Sequence, residues 1–186
     1  MQGDFREHIA VLSHLGADAR PVRRSSELDD IDGLIIPGGE STVMDKLTRT
    51  FGLAEPLASA IRSGMPVYGT CAGLIMLADR LLDAVPGQHT LGGFDVTVRR
   101  NAFGSQTDSF EAELDVPEVG SAPVNAVFIR APVIEQAGPD VTPLAAVPDG
   151  RVVAARQGNL LGTAFHPEMT GELRFHELFL RMVARA

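Results

Sequence analysis

Phe5, Ile9, Leu12 and Leu15 recur at helical spacing and are followed by Gly16, a natural C-terminal stop, so residues 4–15 read as an amphipathic helix. A short apolar run from Gly33 to Ile36 ends in Pro37-Gly38-Gly39. A second helical pattern begins near Ser41, with Thr42 and Asp45 spaced as a capping box. The pattern then repeats: a helix over about 54–63 stops at Gly64, a strand runs from Pro66 to Tyr68, and a helix follows over 72–82. Such alternation predicts a mostly parallel sheet with helices on its faces. Beyond Pro86-Gly87 the apolar runs shorten to 91–98, 110–114, 124–129, 141–147, 152–155 and 160–164, which predict antiparallel additions or crossovers. A last helix over about 171–183 carries Leu173, Leu178, Phe179, Met182 and Val183, enough apolar surface to dock on the sheet. No repeat, low-complexity tract or linker interrupts this order, so one domain over residues 1–186 is expected.

Composition narrows the class. With 186 residues, 45% of them hydrophobic, the chain can bury one sizeable core but not two comfortable ones. The sequence has neither an apolar run long enough to span a bilayer nor a secretory leader pattern, so a cytosolic protein is expected, with no membrane partner. A net charge of −8 opposes non-specific attraction to phosphate backbones, so nucleic acid is not an expected partner. The single cysteine, Cys71, cannot form an internal disulfide, and no His/Cys cluster has metal-ligand spacing. That thiol is either core filler or chemistry.

Its flanks favour chemistry. Gly69-Thr70-Cys71-Ala72-Gly73 surrounds the thiol with small residues between an apolar strand and a helix, the setting of a nucleophile elbow. A helix starting beside the sulfur favours the thiolate. A thiol nucleophile needs a base near neutral pH, and five histidines are present. His8, His14 and His176 fall in helical patterns and His89 in a Gly-rich loop, where solvated or local roles are the default. His166 follows the apolar strand 160–165 and precedes Pro167. The extended backbone this favours would project His166 and Glu168 to the same side, with the carboxylate orienting the ring. By spacing alone, an exposed carboxylate after a strand is an equal reading for Glu168. Pro37-Gly38-Gly39-Glu40-Ser41 reads first as an ordinary strand-to-helix turn. It could also present backbone N–H groups to an oxyanion, for which Gly39 and Ala72 are the candidates. Arg100 and Arg130 lie beside strand-forming residues and could clamp a carboxylate, although most arginines in such a domain face solvent.

Read together, "IIPGGEST" at 35–42, "GTCAGLIMLA" at 69–78, "RRNAFGSQTDSFEAEL" at 99–114, "VFIRAP" at 127–132, "VAARQGNLLGTAFHPEMT" at 153–170 and "QGDFREH" at 2–8 carry a resemblance. They resemble the class I, or triad, glutamine amidotransferases, and more narrowly the glutaminase subunits of pyridoxal 5′-phosphate synthases. The resemblance implies a three-layer, flavodoxin-like α/β fold. In it Cys71 attacks the glutamine side-chain amide, His166 is general base and acid, and Glu168 orients it. Gly39, Glu40, Ser41, Arg100, Ile129 and Arg130 would form the L-glutamine site. It also implies a (β/α)8-barrel synthase partner that joins the ammonia to ribose 5-phosphate and a triose phosphate, with no cofactor in the glutaminase. One departure stands out. The family has a short apolar strand near the middle of its sheet, before its "LQG" segment, whereas this sequence starts at Met1-Gln2-Gly3, so a missing interior strand, two unpaired edges and an unfilled gap are expected.

Overall fold

The computed structural model describes residues 3–103 and 109–186. The expectation about a strand ahead of Gln2 falls on residues 1 and 2, outside the described residues, as does the stretch 104–108 of the "RRNAFGSQTDSFEAEL" segment.

The first half follows the predicted alternation. Helix α1 (Phe5–His14) precedes β1 (Leu34–Ile36), α2 (Ser41–Thr50), α3 (Ala54–Arg62), β2 (Val67–Thr70) and α4 (Ala72–Leu77). The N-cap of α2 is Glu40, whose side chain accepts from the N–H groups of Thr42 and Val43. This replaces the expected Thr42/Asp45 box. Asp45 is instead buried, where it pairs with Arg49 at 2.8 Å and accepts from the His89 backbone N–H at 2.9 Å.

Where a single helix over 72–82 was expected, the chain turns extended at Ala78 and becomes β3 (Ala78–Leu82). Helix-forming side chains lose here to a tertiary partner. β3 pairs in parallel with β4 (Phe94–Arg99), and Arg80 reaches Thr97 at 2.8 Å and Asp95 at 2.7 Å. The remaining strands are β5 (Ser109–Leu114), β6 (Val124–Ile129), β7 (Val133–Ala137), β8 (Thr142–Ala146), β9 (Val152–Gln157) and β10 (Leu160–Thr163), followed by α5 (Pro167–Thr170) and α6 (Arg174–Val183).

The main sheet runs β1-β2-β10-β9-β7-β4-β3, with β8 on β9, while β5 and β6 form a separate hairpin. The pairs β1/β2, β2/β10 and β3/β4 are parallel, and β10/β9, β9/β7, β7/β4 and β8/β9 are antiparallel. The sheet is therefore mixed, as the antiparallel additions expected from the sequence imply, but it is not mostly parallel, which corrects that part of the expectation. The cause is local: β9 returns to β10 through Gly158-Asn159, and a two-residue connection can only join antiparallel strands.

Strand alternation along β2 sends its side chains to two faces. Tyr68 meets Phe179 of α6 and the rings of His8 and His176, and Thr70, on the same face, meets His8. Gly69 faces the other way, against Gly73 of α4. Helices thus cover both sides of the strand that ends at Cys71. A ladder of aromatic rings, Phe110, Phe128, Phe165 and Phe175, with centroids 4.6, 5.6 and 5.3 Å apart, ties the β5/β6 hairpin through the end of β10 to α6. β1 is an edge of the main sheet among the described residues. Beside it lies a groove of about 430 Å³ lined by Phe5, Ile9, Leu12, Val22, Ile35 and Val183 among others.

Candidate active site

Cys71 caps α4 with φ 48° and ψ −101°, a backbone conformation that costs a non-glycine residue roughly 1–3 kcal/mol. The turn is held from both sides. The Cys71 N–H donates to the Thr163 carbonyl on β10 at 2.7 Å, and the Ile75 N–H donates to the Cys71 carbonyl at 3.2 Å. The flanking glycines are sterically required: a Cβ on Gly69 would sit 2.6 Å from the Gly73 carbonyl carbon, and one on Gly73 only 1.9 Å from the Ile36 carbonyl oxygen. The elbow expected from the sequence is present.

His166 leaves the end of β10 and caps α5, with Pro167 at the first helical position. Its N–H donates to the Val127 carbonyl of β6 at 3.1 Å, next to the aromatic ladder. His166 Nδ1 lies 2.8 Å from Glu168 Oε1, and both residues are buried. The pair forms as the sequence predicts, but by a different route. Glu168 belongs to the helical turn α5, so the two side chains meet through a tight turn and not along an extended strand.

Burial works to lower the His166 pKa, but hydrogen bonds and charge from Cys71 and Glu168 outweigh it and push the value up to about 10. The ring is an imidazolium at neutral pH, stabilised by Cys71 and bonded to the Glu168 carboxylate. Cys71, His166 and Glu168 therefore converge.

The paired-glycine turn abuts this group. A Cβ on Gly38 would lie 2.3 Å from His166 Cε1, and Gly39 takes φ 150°. The Gly38 carbonyl accepts from the Asp4 N–H at 3.2 Å, which ties the turn to the start of α1. Ala72 is the first residue of α4, so its N–H has no acceptor within that helix.

Glu40, Ser41 and Arg100 are joined in one network. Arg100 contacts Glu40 Oε1 at 3.3 Å and donates to Gln88 Oε1 at 2.9 Å, and Gln88 Nε2 donates to Ser41 Oγ at 3.0 Å. Ile129 and Arg130 close β6. Their segment is tied to the loop after Arg100 by the Ala102 N–H to Ala131 carbonyl bond at 2.9 Å. Arg130 itself is exposed, sits at φ 46°, and makes no ion pair among the described residues.

Two expectations need correction. His8 and His176 are not solvated helix residues; they are 2% and 0% exposed, with His8 Nδ1 2.8 Å from His176 Nε2. His14 and His89 are exposed, as expected. Gln88 was not singled out from the sequence, and nothing in its loop context marks it. Among the described residues no group of His, Cys, Asp and Glu could hold a metal ion, and no helix is long and apolar enough to cross a membrane.

Comparison with known proteins agrees with this geometry. The model of the SNO glutamine amidotransferase family matches residues 1–185. The chain is 65% identical over 186 residues to a pyridoxal 5′-phosphate synthase subunit PdxT from Clavibacter sepedonicus, covering all of this chain and 89% of that protein. It is 66% identical over 180 residues to the protein of the same name from Leifsonia xyli subsp. xyli, covering 97% and 91%. A crystal structure of a glutamine amidotransferase superposes with a TM-score of 0.91 at 42% identity, over 98% of this chain and 95% of that one. With an α/β frame and mixed sheet of the class I amidotransferase kind, and with the family match running from end to end, this chain belongs to the SNO glutamine amidotransferase family.

Proposed function

We propose that this chain is the glutaminase subunit of a pyridoxal 5′-phosphate synthase, hydrolysing L-glutamine to L-glutamate and ammonia and delivering the ammonia to a synthase partner. What carries the reading is the meeting of a lone thiol on a strained elbow with a buried imidazolium–carboxylate pair, in a chain about two-thirds identical to proteins named as subunits of that synthase.

In this reading His166 holds the proton of the Cys71 thiol, and the thiolate Sγ attacks the side-chain amide carbon of glutamine. The developing oxyanion is met by the backbone N–H groups of Gly39 and Ala72. His166, already holding a proton, donates it to the departing nitrogen as ammonia leaves. The neutral ring then takes a proton from water as that water attacks the glutamyl thioester, which frees glutamate and restores the thiolate–imidazolium pair. Glu168 holds His166 in register throughout. Gly39, Glu40, Ser41, Arg100, Ile129 and Arg130 bind the glutamine, with Arg100 and Arg130 as the cationic groups for its carboxylate. The partner is a (β/α)8-barrel subunit in a hetero-oligomeric complex in the cytosol, and the frame that docks on it is a three-layer, flavodoxin-like domain.

The test is glutamate release from glutamine by the purified chain, alone and with a pyridoxal-phosphate synthase subunit, beside Cys71→Ala. Release that rises with the partner and vanishes in Cys71→Ala is expected, with partner binding retained by the variant. Full hydrolysis by Cys71→Ala would sink the mechanism, and equal release with and without the partner would point to a stand-alone hydrolase.

A further inference from the structure

Behind the proposed triad lies a second pair of buried rings that the mechanism above does not use. His8 projects from the buried face of α1. Its Nε2 lies 3.2 Å from Thr70 Oγ1, beside Cys71 in sequence, and 3.5 Å from Glu168 Oε1. Its Nδ1 lies 2.8 Å from Nε2 of His176 on α6, and the Tyr68 ring packs edge-on against both histidines. Three elements distant in sequence, α1, β2 and α6, therefore meet at the His8 ring, which in turn lies beside the carboxylate that orients His166.

The protonation pattern of this chain can be worked out. Burial first, then His176 and His166, hold His8 down to a pKa of about 3, and burial holds His176 down to about 4 against the pull of Glu172, so both rings are neutral. Each then has one N–H. The Glu168 side chain is fully buried, with Oε1 bonded to His166 and Oε2 without a hydrogen-bond partner, so that carboxylate needs every donor within reach. An unprotonated His8 Nε2 would instead turn a lone pair towards it. Placing the proton on His8 Nε2 leaves Nδ1 as an acceptor, which His176 Nε2–H fills. His176 Nδ1, the one ring nitrogen here without a partner, is then a bare acceptor. The opposite arrangement would leave it a buried, unpaired N–H, the rarer and costlier outcome.

We infer that His8 is a positioning residue for the Cys71–His166–Glu168 group: as the Nε2–H tautomer, fixed by a bond from His176, it steadies Glu168 and Thr70 on either side of the elbow. The inference rests on the glutaminase reading for its kinetic consequence but not for the tautomer. Loss of the donor frees a buried carboxylate that is bonded through one oxygen only, and the imidazole it orients loses alignment with the sulfur. Outer partners of histidine ligands in metal sites change affinity or activity by about 10- to 100-fold when removed, and a loss of that order is expected here.

The test has two independent parts. In the whole chain labelled with ¹⁵N-histidine, long-range ¹H–¹⁵N spectra read each ring's tautomer directly. His8 protonated on Nε2 and His176 protonated on Nε2 between pH 6 and 8 are expected, and a proton on His8 Nδ1 overturns the inference whatever the activity. In the partner-activated glutaminase assay, His8→Leu is expected to lower kcat about 10-fold or more with KM within about twofold. His8→Gln, whose amide N–H₂ can reach the same acceptors, should recover most of that loss. Equal activity of wild type and His8→Leu overturns the inference. An equal loss in both variants, each with the wild-type circular dichroism spectrum, assigns the ring to packing and overturns it too. A wild type that fails to release glutamate counts against the glutaminase reading instead, and the tautomer measurement still decides the arrangement.

Discussion

Gln88 stands between Ser41 and Arg100, giving its N–H₂ to one and its carbonyl to the other. An amide presents a separate donor and acceptor, so it can do both at once and anchor the guanidinium beside the Glu40 carboxylate that Arg100 also meets at 3.3 Å. If Arg100 receives the glutamine carboxylate, Gln88→Ala should raise KM about 3- to 30-fold with little change in kcat, the signature of lost uniform binding. Steady-state kinetics with the synthase partner would show it, and an unchanged KM would detach this network from the substrate. At this scale the sequence is informative about the elbow and silent about its supports. Cys71 is legible because four small or short neighbours make no sense around a core thiol. His166 is legible because a histidine between an apolar strand and a proline has few structural reasons to be there. His8 and Gln88 are invisible because helical periodicity and a turn signature say nothing about which distant residue a side chain will meet.

Elements differ in how far local preference decides them. α1 and α3 fall within a residue of their predicted spans, and α2 starts at the predicted Ser41, because an apolar stripe with a start or stop residue is a purely local signal. β3 and β7 are not local. The run Ala72–Leu82 is rich in good helix formers, and only the presence of β4 converts its second half to strand. β7 follows Pro132 and has only Val133 and Ile134 buried, too short an apolar run to stand out, and it exists because it fills the place between β4 and β9. The join of α4 to β1 can be probed directly. Since a Cβ at Gly73 would collide with the rigid backbone carbonyl of Ile36, Gly73→Ala should lower stability by about 2–3 kcal/mol or more, despite alanine's better helix propensity. Urea unfolding reads this, and a stability gain would mean that β1 gives way easily.

Taken as a whole, the fold buries three histidines whose contributions to stability respond to pH in opposite directions. His8 and His176 are held near pKa 3 and 4, below the ordinary 6.5, so their contribution is complete above pH 6.5 and is lost as the pH falls through that window, where the unfolded chain binds protons the folded one refuses. His166, raised to about 10, contributes fully below pH 6.5 and loses that contribution as the pH rises towards 10. Stability measured by denaturant should therefore peak near pH 6.5 and decline on both sides, and a steady rise from pH 5 to 9 would contradict these assignments. The alternation of the first half makes the α/β class legible at this scale. That antiparallel strands join the sheet was legible too, but their majority was not, because it depends on which hairpin folds back onto which strand. One property of the whole sequence also has a practical use. Since its only sulfhydryl is the one at the elbow, a single alkylation, weighed intact by mass spectrometry, counts elbows and nothing else. The unlabelled fraction is then a direct census of molecules whose thiol is shielded or oxidised, and a turnover number can be referred to the reactive thiols present instead of the protein weighed out.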